Sequence, residues 1–268
     1  MLIDTHCHLD FDRFDEDRDA VLQRAAAASV ERIIVPALDL ANCPQVLALG
    51  DLYAEVYAAV GVHPNSTALW ENVWLDSIRR FAAHPKVVAI GEIGLDYYWD
   101  DSPKEVQQAA LAAQLELAAE LELPVIIHNR DSSEDVLRLL AVSPLAGRER
   151  PGVLHSFSAE AAVAEAALRM GFYIGITGPV TFKKADDLRA VVAGLPLERI
   201  LVETDAPFLA PQQRRGKRNE PAYVAYVAEQ IAALHGLSSD ELARITTNNA
   251  MRLFGSMAPG GEGSNGRS

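Results

Sequence analysis

Short apolar runs alternate along the chain with longer amphipathic stretches. The runs MLIDTHCHL, ERIIVPAL, EVYAAVGVH, KVVAIGEIG, LPVIIH, GVLHSF, FYIGITG and ILVETD begin near residues 2, 32, 55, 87, 124, 152, 172 and 200. Most are almost continuously hydrophobic, as strands of a parallel sheet covered on both faces are. Between them lie segments rich in Ala, Leu, Glu and Arg, such as AVLQRAAAAS and KEVQQAALAAQLELAAELEL, which read as helices. Eight strand–helix units at a spacing of about 28 residues predict an α/β fold, the (β/α)8 TIM barrel. An open doubly wound sheet is the structural alternative, but no Gly-rich dinucleotide turn follows the first strand. Two closing helices are expected over 224–234 and 238–254, the second opened by Ser238 and Glu241 in a capping-box pattern. Nothing divides this body, so the pattern predicts one barrel domain over 1–254 and a disordered Gly/Ser/Pro-rich tail over 255–268.

Composition narrows the class. At 268 residues, 49% hydrophobic and 23% charged, the chain has ample material for a core, which excludes a disordered protein. No apolar run approaches the roughly 18–20 residues that span a bilayer, and the N-terminus lacks the pattern of a secretory signal. Cys7 and Cys43 are too few for a disulfide framework, so a reducing, cytoplasmic location is expected. A net charge of −13 argues against generic electrostatic binding to nucleic acid or anionic membrane. Any polyanionic substrate must be met by local positive charge.

Seven histidines are present, and five fall at or near the C-terminal ends of strand candidates: His6, His8, His63, His128 and His155. Those ends converge on one face of a parallel barrel, where active sites are built. In His6-Cys7-His8, strand alternation turns both imidazoles to one side and Cys7 to the other. Neutral imidazole is a favoured ligand for Zn²⁺ and similar ions. Glu92, in an apolar strand, is costly to bury unless paired or metal-bound, and Asp96 lies four residues on, suited to orienting a ligand by hydrogen bonding. Glu203 and Asp205 share one face at the end of the last strand, which suits one ligand and general base with one orienting partner. Asp205, nearer the strand end, is the better base. His6, His8, Glu92, His128, His155 and Asp205 exceed what one tetrahedral ion requires, and two ions sharing a carboxylate fit the number better.

The motifs IDTHCHLD, GVHP, AIGEIGLDYY, IIHNRD, HSFS, ETDAPFLAP, RNEP and the late NNA-LF run, in this order, resemble the TatD family of metal-dependent deoxyribonucleases within the amidohydrolase-like barrels. The resemblance spans about 1–254. It implies that His6 and His8 hold a first divalent ion, that Glu92 bridges to a second held by His128 and His155, and that Asp205 is the remaining acidic ligand and proton acceptor. It places His63 near a substrate phosphate. It further implies a 3′–5′ exodeoxyribonuclease in which water is activated at two divalent ions, Mg²⁺, Mn²⁺ or Zn²⁺. Departures from the family pattern at Ser156, Ala159, Ala206 and Phe208 bear on loop shape and remove no ligand.

Four positive charges in QQRRGKRN (Arg214, Arg215, Lys217, Arg218) offer phosphate steering, with Arg130 and Lys183–Lys184 as weaker candidates for the same task. Tyr97, Tyr98 and Trp99 are placed either to stack on a nucleobase or to pack on the rim. The expected partner is DNA, single-stranded or with an accessible 3′ end, bound by a monomer and without a membrane. Two rivals are hydrolysis of a small amide, lactone or phosphoester at the same centre and a non-catalytic metal- or nucleic-acid-binding protein. Many related barrels bridge their ions with a carbamylated Lys; here Glu92 stands at that place and Lys86 only at the strand's start.

Overall fold

In the computed structural model, which describes residues 1–255 and Met257, eight parallel strands lie in the order β1 to β8. They are β1 (Leu2–Asp4), β2 (Val30–Pro36), β3 (Val56–Val60), β4 (Val87–Asp96), β5 (Val125–Arg130), β6 (Gly152–Leu154), β7 (Tyr173–Ile176) and β8 (Ile200–Val202). The ring closes between β8 and β1 through Thr5 N to Val202 O at 3.2 Å, Asp205 N to His6 O at 2.9 Å, and a bridge between Cys7 and Ala206. The fold is a (β/α)8 TIM barrel. The tail expected over 255–268 lies, Gly255 and Met257 aside, outside the described residues.

The helices that alternate with the strands are α1 (Arg18–Ala27), α2 (Cys43–Leu52), α3 (Trp74–Ala82), α4 (Lys104–Glu120), α5 (Ser133–Val142), α6 (Ala161–Arg169), α7 (Asp186–Ala193) and α8 (Val224–His235). A last helix, α9 (Ser239–Phe254), is capped by Ser238, whose hydroxyl accepts from Glu241 N while the Glu241 carboxylate accepts from Ser238 N. A cap of this kind contributes about 1 kcal/mol. Among the described residues no helix is long and apolar enough to cross a membrane. Cys7 and Cys43 are buried free thiols.

Strand periodicity divides the apolar residues into two layers. Ile33 and Val35 of β2 join the large core between sheet and helices, whereas Ile34 joins an inner cluster with residues from every other strand. Leu253 and Phe254 of α9 belong to that inner cluster, and Asn249 Nδ2 donates to Leu197 O and Ile200 O, so α9 stoppers the mouth where the strands begin. The inward phase then continues toward the opposite mouth. Tyr57 and Ala59 lead to Gly61 and His63, Ile126 to His128, Val153 to His155, and Leu201 to Glu203 and Asp205. The same alternation that fills the barrel with apolar side chains aims these imidazoles and carboxylates into its far end, whereas His6 and His8, past the end of β1, and Glu92, at the register shift in β4, are off that phase.

Candidate metal centre

Several of these side chains sit just beyond regular strand. β1 ends at Asp4 and β6 at Leu154, so His6, His8 and His155 lie on the strand exits. His6 Nε2 and His8 Nε2 are nonetheless 3.3 Å apart, while Cys7 between them packs into the outer core. Glu92 Oε2 lies 3.4 Å from His6 Nε2 and 3.7 Å from His8 Nε2, and Asp205 Oδ1 lies 3.7 and 3.5 Å from the same two nitrogens. Five edges of this four-atom polyhedron are therefore 3.3–3.7 Å. His6, His8 and Asp205 form a group whose ligand atoms all lie within 4.8 Å of one another, and imidazole nitrogen together with carboxylate oxygen is a common donor set for ions such as Zn²⁺. The donor set fits a divalent ion.

The other oxygen of Glu92 faces a different group. Oε1 is 2.8 Å from His128 Nδ1, 3.0 Å from His155 Nε2 and 3.6 Å from His63 Nε2. Glu92 thus presents one carboxylate oxygen to each of two clusters of ring nitrogens. The far sides of both close imidazoles face carboxylates, at hydrogen-bond distance only for His128. His128 Nε2 meets Asp96 Oδ2 at 2.9 Å, and His155 Nδ1 lies 3.5 Å from Glu203 Oε1. Glu203 accepts from the Ser156 amide and from Thr5 Oγ1, which fixes it behind His155 and away from the opening. A partner such as Asp96 sets which nitrogen carries the proton and leaves the other free to ligate.

His63 is arranged differently. Its Nδ1 accepts from Asn65 N at 3.2 Å, so in the neutral ring the proton sits on Nε2, the atom that faces Glu92. A protonated Nε2 donates a hydrogen bond and does not ligate. Burial pushes the His63 pKa down to about 3, so the ring is neutral across the physiological range.

Burial opposes charge throughout the cluster; neighbours overcome it at Glu92, Asp205, His128 and His155 but not at His6 or His63. It works to protonate Glu92, yet His155, His63, His6 and the His128 hydrogen bond hold its carboxyl well below the usual range. Asp205 is likewise kept low against burial by His8, His155 and His6. His155 is raised well above the ordinary imidazole value against its own burial, by Glu92 and Glu203, and His128 is raised by Asp96 and Glu92. His6 goes down, through burial and the His155 ring stacked on it at 3.8 Å.

Two glycines leave room for this packing. Gly94 has φ +150° and pairs with His128; a Cβ there would lie 2.0 Å from the His128 carbonyl oxygen. At Gly175 a Cβ would lie 2.6 Å from Glu203 Oε2. Gly94→Ala should push β4 from β5 and pull His128 off Glu92 and Asp96. The expected cost is at least about 1–3 kcal/mol of stability, read as a fall in melting temperature together with substoichiometric bound metal. A variant with full metal content and unchanged melting temperature would contradict this account.

The remaining predicted residues spread along the rim. Arg130 ends β5, exposed, with its guanidinium 3.9 Å over the Tyr98 ring and 5.8 Å from that of Trp99. Tyr97 is half-buried, and its hydroxyl is engaged with Asp135 Oδ2 and Gln108 Nε2, both at 2.8 Å. Tyr98 and Trp99 are the exposed rings, their amides donating to Asp96 Oδ1. Arg218 is turned away from the run it belongs to, bound through both terminal nitrogens to Asp17.

Sequence reasoning passed over three groups. Asp4, fully buried, accepts from Thr204 N at 2.9 Å and Thr204 Oγ1 at 2.6 Å and so clamps β1 to the turn that carries Asp205; burial pushes its carboxyl up to about 8. Gln107 and Gln114, seven apart on α4, hold the backbone at Asp96 and Val62 through both amide atoms. Their signal was a glutamine recurring on the buried, Ala- and Leu-rich face of a helix. Asn65 fixes the His63 tautomer through its backbone, which leaves no trace in side-chain chemistry.

Comparison with known proteins agrees with this architecture. The family model described as TatD related DNase matches residues 3–255. The uncharacterized metal-dependent hydrolase YabD of Bacillus subtilis is 47% identical, over 95% of this chain and 99% of the relative. A protein of Escherichia fergusonii named 3′-5′ ssDNA/RNA exonuclease TatD is 37% identical, over 95% and 99%. The crystal structure of YJJV, a TatD homolog from Escherichia coli K12, superposes with a TM-score of 0.88 at 40% identity, covering 94% of this chain and 97% of that one. A lactonase of Deinococcus radiodurans at 15% identity and a TM-score of 0.63 shares the fold. With a family model spanning the barrel and relatives similar from end to end, the chain belongs to the TatD family of metal-dependent hydrolases.

Proposed function

We propose that this protein hydrolyses phosphodiester bonds in DNA, removing nucleotides from an accessible 3′ end, with two divalent ions held on either side of Glu92. The observation that carries the reading is the division of Glu92: Oε2 toward His6 and His8, Oε1 toward His128 and His155. Ions so held would lower the pKa of a bound water and neutralise the non-bridging oxygens of a phosphodiester. Histidine donors suit Zn²⁺ or Mn²⁺, and the carboxylates also accept Mg²⁺.

The chain's own groups supply the rest. Asp205, ionised and partly open to solvent, takes the proton from the attacking water. His63, neutral and protonated on Nε2, donates to a phosphate oxygen. Asp96 holds His128 in the ligating tautomer, and Glu203 places its negative charge behind His155. Arg130 offers its charge at the rim, with Tyr98 and Trp99 beside it as stacking faces; Tyr97 supports that rim from below. The family model's description and the name of the Escherichia fergusonii relative support a nucleic-acid substrate. Lys86 donates to Ala54 O and lies over the Tyr57 ring, engaged away from the centre, which supports Glu92 rather than a lysine as the bridging group.

The test is incubation of the purified protein with end-labelled single- and double-stranded DNA, and RNA in parallel, with Mg²⁺ or Mn²⁺ and then with chelator. Nucleotides should be released from the 3′ end, and chelation should stop it. Release that ignores the chelator would overturn the reading; turnover of small esters or amides alone would replace it with the small-substrate alternative.

Proton competition gives a second measurable consequence. His8, His128 and His155 all have raised pKa values in the ion-free protein, and each must lose its proton to ligate. Ion affinity should therefore fall as pH drops through neutrality, and loading at pH 7 should release protons. Titration calorimetry in buffers of different ionisation enthalpy measures the release; none, with a pH-independent affinity, would show that these imidazoles are not ligands.

A further inference from the structure

Cations of the helical shell such as Arg18, Arg79, Arg138 and Arg189 are neutralised by Asp15, Glu120, Asp135 and Asp186. Others, such as Arg80, Arg244 and Arg252, have no ion-pair partner among the described residues, and the loops following β7 and β8 gather several of this second kind in one place. Lys183 and Lys184 are exposed in the first, and Arg214, Arg215 and Lys217 in the second. None of the five has an ion-pair partner among the described residues, whereas Arg218 is spent on Asp17 and Asp186 on Arg189.

The two loops are one surface. Gln212 N donates to Thr181 Oγ1 at 2.8 Å, and Gln212 Oε1 accepts from Lys183 N at 3.4 Å. The Arg215 guanidinium lies 4.6 Å over the Phe182 ring, and Arg214 lies 5.2 Å over Tyr223 and 5.7 Å over Tyr226. An aromatic face restrains a guanidinium without neutralising it, so its donors stay available to an anion. The far end of the second loop is tied to the centre by Asn219 Nδ2, which donates to Thr204 O and Phe208 O on either side of Asp205. The patch is thereby fixed to the Asp205 side of the barrel mouth.

We propose that Lys183, Lys184, Arg214, Arg215 and Lys217 form a track for the phosphate backbone of single-stranded nucleic acid beyond the scissile linkage. This rests on the nucleic-acid reading above. Five uncompensated cations across two loops exceed the needs of one small ester. On a chain of net charge −13 they mark where a polyanion is admitted while the rest of the surface repels it.

The experiment compares wild type with Lys183→Gln/Lys184→Gln/Arg215→Gln, binding a fluorescein-labelled phosphorothioate dT15 to the metal-loaded protein by anisotropy over a range of salt. Each cation on a single strand contributes about 0.7 to the slope of log affinity against log salt, so the slope should fall by about 2. Affinity near 0.1 M salt should drop by about 10-fold or more. Turnover of bis(p-nitrophenyl) phosphate, too short to reach the track, serves as the control and should change less than about twofold. The charge-preserving Lys183→Arg/Lys184→Arg/Arg215→Lys variant should restore the slope. An unchanged slope, an equal loss on the small diester, or no oligonucleotide binding by wild type would overturn the proposal. Because the readout is binding, the track can fail while nucleotide release persists, and the nuclease reading can fail while the oligonucleotide still binds.

Discussion

Glu92→Gln should reduce turnover by about 10³-fold or more and lower the bound metal, while leaving the circular dichroism spectrum unchanged. The amide has nearly the shape of the carboxylate but only one acceptor, and its NH₂ would point at ring nitrogens or at an ion. Each oxygen of Glu92 faces its own cluster, at 2.8 and 3.0 Å on one side and 3.4 and 3.7 Å on the other. Whichever way the amide turns, one cluster loses its anionic partner. Removing a partner that merely orients a ligand costs about 10–100-fold, so loss of a shared one should exceed that range. Metal content by mass spectrometry, read beside hydrolysis of bis(p-nitrophenyl) phosphate, checks it. Retention of both metal and rate would mean that Glu92 is a buried ion-pair residue and nothing more.

Asp205→Asn is the second large effect, and its signature differs. Asparagine cannot accept a proton, so kcat should fall by about 10²–10⁴-fold, the range for losing a general base. KM should move little, since the lost interaction belongs to the transition state. The carboxylate also stands 3.5 Å from His8 Nε2 and 3.7 Å from His6 Nε2, so metal at that cluster should weaken while the His128–His155 side keeps its own. A rise in KM at constant kcat would reassign Asp205 to substrate binding.

The sequence ranks Asp205 as base and Glu203 as orienting partner only from nearness to the strand end. Glu203 and Asp205 share strand parity, and parity alone let both look into the site. The structure puts Glu203 behind His155, against the Ser156 amide and Thr5, and puts Asp205, at φ +56°, out over His6 and His8. Two residues of separation become two depths in the barrel.

What the sequence determined by itself was periodic. Eight apolar runs at regular spacing specify a barrel, and alternation within each run sends His63, His128, His155 and Asp205 to the same mouth as His6 and His8. That much follows because side-chain direction in a strand is local, set residue by residue by the backbone. What only the tertiary structure decided was pairing between residues distant along the chain. Asp17 removes Arg218 from a basic run two hundred positions away, Asp135 and Gln108 occupy the Tyr97 hydroxyl, and Phe182 brings Lys183 to Arg215. Asn65 and Asp96 choose which nitrogen His63 and His128 turn toward Glu92. Each depends on where a second element packs, and strand phase carries no information about that. Thus a chain of charge −13 offers a polyanion its one proposed path through cations that the fold leaves uncompensated.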